Sequence, residues 1–161
     1  EQQSRAQFSM WSVMASPLLI SADVGQVSEH QLSTWGNEEI IDISQSFRKG
    51  GPYQGARLVG GDLNYGKATD GTYTGSGSNV WGKLLPDGDV ALVFVSNEES
   101  PRNVTCDASC FKQVMNDDSV DSYSYHEVWS GETGTLKRPF SMTNRIQPHG
   151  GVAVYRFKPQ S

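Results

Sequence analysis

Residues 8–24 read FSMWSVMASPLLISADV, and the change of pattern at Pro17 decides the fold. On a helix over residues 2–16, Ala6, Met10 and Met14 share one face with Phe8, Trp11 and Ala15 beside them. Spacings of three and four make that a wide apolar stripe. Proline disfavours helical backbone at the residue before it, so Pro17 is expected to end the helix. Leu18, Leu19 and Ile20 then run without a polar break to Ser21, Ala22 and Asp23, the pattern of a parallel strand covered on both faces. This is an αβ unit. Working outward, Ser28 and Gln31 fit a capping box for a short helix to about Trp35, and Asn37 can cap another turn through Ile43. Helical patterning is expected to stop there.

From Gly50 the character changes. Residues 60–79 mix glycine with Asn, Thr, Asp, Ser and Tyr, which predicts a long loop or an irregular hairpin insertion; without GxxxxGK and a following helix it is no phosphate cradle. Residues 80–85 lead into the turn Pro86-Asp87-Gly88 and then the β-branched run 90–95. Residues 123–129 alternate, 131–134 turn the chain, and 152–157 close the set. Short strands without helices between them predict a mainly β protein: an antiparallel β-sandwich over 49–161, preceded by a helix-strand-helix unit over 1–48. An immunoglobulin domain fits poorly, because its cysteines bridge distant strands and Cys106 and Cys110 are close neighbours.

The 161 residues suffice for one main core with an appendage. No apolar run is long enough to span a bilayer, and a net charge of -5 without a basic cluster argues against nucleic acid as a partner. His30, His126 and His149 lack ligand spacing, so neither a metal nor a cofactor is expected. The chain opens on Glu1 with no methionine or leader, so targeting is read indirectly. A Cys106–Cys110 disulfide and an acceptor sequon at Asn103 together favour an oxidising, secretory route; two free thiols beside a chance tripeptide are the alternative. A bond across so short a loop would contribute about 2 kcal/mol.

Taken in order, FSMWSVMASPLLISADV, EEIIDISQ, YQGARL, VWGKLLPDGDVALVFVSNEE, CDASCF, HEVWSGETG and IQPHGGVAVYRF resemble the final barrel segment and C-terminal domain of the α-galactosidases of glycoside hydrolase family 27. That family also includes α-N-acetylgalactosaminidases. The resemblance implies that residues 1–16 correspond to the seventh helix of a (β/α)8 barrel, 18–23 to its eighth strand and 28–43 to the helical return. Residues 1–48 are then an incomplete last segment of a catalytic barrel, which needs about 250 residues when whole. The chain is expected to begin inside that barrel. It departs from the family in a longer connection over 60–79 and in ISQSFRKGGPYQG, which replaces an Asn-Gln-Asp-Pro segment.

The implied chemistry is retaining cleavage of terminal α-galactosides by two aspartates, a nucleophile and an acid/base, about 5 Å apart. In the family they come from barrel strands four and six, upstream of Glu1, so no catalytic residue is expected here and the chain alone should not turn over substrate. Asp23, at the carboxyl end of a barrel strand, is a candidate for the substrate rim; capping the following turn is the preferred reading. Asp42 reads as a solvated or structural carboxylate. Trp81 and Trp129 read as packing residues in preference to sugar platforms. Phe8, Met10, Trp11 and Met14 would form a sticky patch if bare. They are expected to fold back on the sandwich, to swap into a neighbour, or to lie beside a second chain carrying the rest of the barrel. Expected partners are the remainder of the barrel, α-galactoside glycans and a second copy of the chain; the expected location is lysosomal or extracellular. Two other readings stay open: a stand-alone carbohydrate-binding sandwich with Trp81, Tyr73 or Trp129 as its platform, and a secreted adhesion module, which leaves the αβ start unexplained.

Overall fold

The structure, a computed structural model, describes residues 2–20, 22–47, 49, 53–115 and 118–160. The first helix, α1, spans Gln2–Val13 and stops before Pro17 is reached. Ala15 takes a left-handed φ of 51°, while Ser16 N donates to Trp11 O at 2.8 Å and Ala15 N to Ser12 O at 3.1 Å. This is a Schellman closure: the chain satisfies its own last carbonyls three residues ahead of the proline that was expected to stop it. Helix α2, Glu29–Trp35, carries the full Ser28/Gln31 capping box, and α3, Glu38–Gln45, is capped by Asn37 and runs two residues beyond Ile43.

Between α1 and α2 the strand expected over 18–23 does not form among the described residues, Ser21 lying outside them. Residues 18–20 have no ladder partner among the described residues, and Leu19 and Ile20 are 75% and 52% exposed. An apolar run supplies surface to bury, but a parallel strand exists only between neighbours that take its N–H and C=O groups. No described strand offers that edge.

Ten strands follow: β1 Ala56–Gly60, β2 Asn64–Lys67, β3 Tyr73–Ser76, β4 Ser78–Leu84, β5 Val90–Ser96, β6 Arg102–Cys106, β7 Ser122–Glu127, β8 Thr133–Lys137, β9 Met142–Ile146 and β10 Gly151–Gln160. Six form one antiparallel sheet in the order β1-β4-β5-β10-β7-β8; β6 pairs with β9, and β2 with β3. The β2–β3 hairpin is the insertion expected over 60–79. A fourth helix, α4 Ala108–Val114, contradicts the expectation that helix ends at Ile43. Asp107 starts it, its carboxylate accepting from Cys110 N at 3.0 Å and Ser109 Oγ at 2.7 Å. A seven-residue helix has too few turns to print a periodic stripe.

Strand β5 shows how the layers are arranged. Val90, Leu92 and Phe94 point into one core with Phe111, Val104, Ile146 and Phe157, covered by β6, β9 and α4. Ala91 and Val93 point the other way into a second core with Phe8, Val13, Ile40 and Ile43 of α1 and α3. All seven β5 residues are therefore buried, as continuous apolar sequence requires when both faces of a strand are covered. The N-terminal apolar stripe folds back on the sandwich only in part: Ala6 and Phe8 are buried, whereas Met10, Trp11 and Met14 stay half-buried. Phe8 is 5% exposed and Val13 fully buried. At Gly55, a close approach fixes this docking: its N–H donates to Val13 O at 2.8 Å, and a Cβ there would lie 2.6 Å from that oxygen and 2.8 Å from Gly82 O.

Candidate functional site

The helical layer is held to the sheet by charges as well as by Ile40 and Ile43. On β4, alternation sends Val80 and Leu84 to the first core and Trp81 to the second, which places Lys83 under α3. Lys83 is 1% exposed; its Nζ donates to Ile43 O at 2.5 Å and Ser44 O at 3.1 Å. These are last-turn carbonyls with no partner inside the helix, and a cation there also meets the negative end of its dipole. Burial pushes the Lys83 ammonium below its ordinary pKa, while the Asp42 carboxylate opposes that shift.

Arg156 of β10 forms the second fastening. Its Nη1 donates to Asp42 Oδ2 on α3 at 2.6 Å and its Nε to Asp89 Oδ2 at 2.9 Å. Burial alone would raise the Asp42 pKa, but hydrogen bonds from Arg156 and Ser46 and the positive charges of Arg156 and Lys83 bring it below the usual carboxylate range. A third contact joins His126 Nδ1 to Glu39 Oε2 at 3.0 Å. Thus EEIIDISQ buries Ile40 and Ile43 and offers Asp42 to Arg156 and Glu39 to His126 on the sheet.

Beside this clamp lies an uncovered apolar surface. A groove of about 870 Å³ is lined in part by Met10, Trp11, Met14 and Trp35, and a smaller adjoining hollow by Leu18, Leu19 and Ile20. Leu32, 59% exposed, belongs to the same helical layer. Among the described residues no helix is long and apolar enough to cross a membrane, and no group of three or more His, Cys, Asp or Glu side chains is placed to hold a metal ion.

The residues singled out from sequence are scattered. Asp23 caps the single 3-10 turn Val24–Gln26, accepting from Gly25 N at 3.0 Å and Gln26 Nε2 at 3.1 Å. Cys106 and Cys110 are disulfide-bonded across the start of α4. Asn103 is exposed on β6. Trp81 and Trp129 both pack on the second core: Trp81 Nε1 donates to Asn79 Oδ1, and Trp129 Nε1 to Ser9 Oγ, each at 3.1 Å. The Tyr73 side chain lies outside the described ones. Sequence reasoning passed over Lys83, Arg156, Glu39 and Glu127. For Lys83 a signal existed, since period two places it on the Trp81 side of a buried strand; Arg156 and Glu39 depend on partners distant in sequence, and Glu127 joins a local turn at Trp129 and Ser130 to the distant Val154.

Comparison with known proteins gives these features a context. A family model described as the α-galactosidase C-terminal β-sandwich domain matches residues 75–157, and one described as α-galactosidase A matches residues 1–46. Alpha-galactosidase A of Cellvibrio japonicus is 27% identical over 167 residues, covering 99% of this chain and 36% of that protein. An alpha-galactosidase of Saccharomyces mikatae is 29% identical over 133 residues, covering 81% and 27% respectively. The chain thus spans about a third of the length of these curated relatives. Among solved structures, the alpha-galactosidase of Saccharomyces cerevisiae with raffinose superposes with a TM-score of 0.79 at 16% identity, over 99% of this chain and 44% of that one. A family 27 β-L-arabinopyranosidase of Geobacillus stearothermophilus gives 0.69 at 16% identity, over 99% and 31%.

Proposed function

The chain belongs to the α-galactosidase family of glycoside hydrolases, and from that premise we propose that it is the C-terminal sandwich and last barrel segment of a retaining enzyme that removes terminal α-linked galactose from glycoconjugates or oligosaccharides. One observation carries the reading. Within the stretch that the α-galactosidase A model matches, Leu19 and Ile20 stand bare on a backbone without a ladder, the composition of a buried parallel strand lacking its neighbours. The remaining barrel strands would supply those neighbours and the two reacting carboxyl groups.

In this reading residues 1–48 belong to the barrel and 49–161 to the sandwich, and the sandwich acts as a support. Lys83 and Arg156 hold α3, and α3 with α1 holds the segment that completes the barrel. No side chain of this chain is assigned to bond cleavage. Asp42 is kept ionised by Arg156, the wrong state for protonating a leaving oxygen, and Asp23 is used by its turn. A secretory location, lysosomal or extracellular, is proposed with it, supported by the disulfide and by an exposed Asn103 as acceptor for a glycan.

The test is hydrolysis of an aryl α-galactoside. The 161-residue chain, verified by mass spectrometry, should release no aryl group above buffer, and turnover should appear when the chain is joined to a complementary family 27 barrel. Replacing Ile20 by Asp in that assembly should abolish it. Turnover by the chain alone refutes the assignment of catalysis to the missing strands.

A further inference from the structure

Where β7 leaves the main sheet, a cavity of about 330 Å³ opens between the start of α1 and strands β9 and β10. That volume lies at the low end of the roughly 300–1,000 Å³ range of small-molecule sites. Its carboxylate, Glu127, and the amide oxygen of Asn144 are already engaged. Glu127 Oε1 takes the N–H of Val154 at 2.8 Å, and its Oε2 takes those of Trp129 and Ser130 at 3.1 and 2.5 Å. Asn144 Oδ1 accepts from the Tyr155 hydroxyl at 2.7 Å.

Its donors are not. Arg5 lies with its guanidinium carbon 5.0 Å from the centre of the Trp129 ring and has no carboxylate partner among the described residues. Buried Arg5 Nε and buried Asn144 Nδ2 both lack acceptors among the described residues. Arg145 adds a second positive charge to the wall, and Gln2, the first residue of α1, brings the positive end of a twelve-residue helix to it. Glu127 on the same wall sets one negative charge against the two positive ones, and a part-buried cation beside two donors without acceptors favours an oxygen-rich anion.

We propose that this cavity binds a small carboxylate, with Arg5 as its counter-charge and Asn144 as a second donor. Arg5 Nε and Asn144 Nδ2 are enclosed, so pairing them requires a small rotation of each side chain onto the ligand. Trp129, with Arg5 over its ring, forms the apolar wall against which the rest of the molecule lies. The carboxylate can come from a sugar acid of monosaccharide size or from a simple organic acid; the chemistry recognised is the same. The site uses α1 of the proposed barrel segment but does not depend on the proposed activity.

The experiment titrates the 161-residue chain, labelled with nitrogen-15, with galacturonate, acetate and galactose in turn, reading the Arg5 Nε–H, Asn144 Nδ2 and Trp129 indole resonances. Galacturonate is expected to shift all three and galactose none. Acetate binding as tightly as galacturonate would identify the simple acid as the source; weaker acetate binding would identify the sugar acid. Arg5→Gln and Asn144→Asp should each weaken galacturonate about tenfold or more, the range for losing a charge-assisted hydrogen bond. If either variant fails to fold, the wild-type titration decides alone. Equal shifts from galactose and galacturonate, or none from any carboxylate, overturn the proposal.

Discussion

Replacing Lys83 by Met tests whether the ion or the carbonyls beneath α3 dominate the docking of that helix. Methionine matches the length of the lysine stem and removes the ammonium, and with it the cost of keeping a charge in a site 1% exposed. Against that gain stand two carbonyls, Ile43 O and Ser44 O, in residues 1% and 7% exposed, which lose their donor and stay enclosed. Each stranded acceptor costs about 1–3 kcal/mol, and loss of a cation from the helix C-terminus up to about 2 more. Relief of desolvation recovers several kcal/mol of this, but part of that penalty is already offset by Asp42. We therefore expect Lys83→Met to be destabilised by about 2 kcal/mol, a fall in Tm of about 4–8 °C for a chain of this length.

Urea denaturation followed by far-UV circular dichroism should show a lower midpoint at unchanged slope. The same pair of proteins has a pH signature. In the fold Lys83 titrates below its ordinary 10.5, so between those two values the unfolded chain binds the extra proton and the wild type gains stability as pH rises. The variant has no such gain, and the gap between the proteins should widen over that window. A variant as stable as the wild type at neutral pH, or a gap that narrows with rising pH, would show that the ammonium is a net burden and the argument wrong.

Three further outcomes are expected. Glu127→Gln keeps the shape of the side chain but loses its charge and turns an amide toward backbone N–H groups, so thermal unfolding should report a loss of about 2–4 kcal/mol, with Val154 and Ser130 amides exchanging faster. Replacing Cys106 and Cys110 together by Ala should cost about 2 kcal/mol in urea denaturation, since the bond closes only a short loop. Asp42→Asn should be less stable than the wild type at neutral pH. Because the folded Asp42 pKa lies below 3.8, its contribution is complete above that value and lost as pH falls through the folded one, so the two proteins should converge in acid.

Much of this fold is written locally. The Ser28/Gln31 box, the Asn37 cap, the PDG turn and the alternation of β7 and β10 each specify an element through neighbours a few residues away. Where structure and sequence pattern differ, the deciding partner is distant. Leu18-Leu19-Ile20 carries the composition of a strand, yet no described strand borders it. Strands β6 and β9 are five residues each and 38 apart at the Thr105–Thr143 contact, so neither shows a pattern until the other is beside it. Asp42 reads as a solvated or structural carboxylate, and only Arg156, 114 positions away, shows it to be structural. The cavity at Arg5 is less legible still, since it exists only where α1, β7, β9 and β10 meet.

Strand β5 belongs at once to two interiors. Phe94 faces the aromatic cluster under the outer strands, and Val93, next to it, faces the isoleucines of α3. Lifting the helices away would therefore bare one side of the strand that the other half of the molecule is built on. The helical layer and the outer layer build on opposite faces of this strand, yet they should melt as one, with β5 as the shared wall through which damage to either is felt by the other.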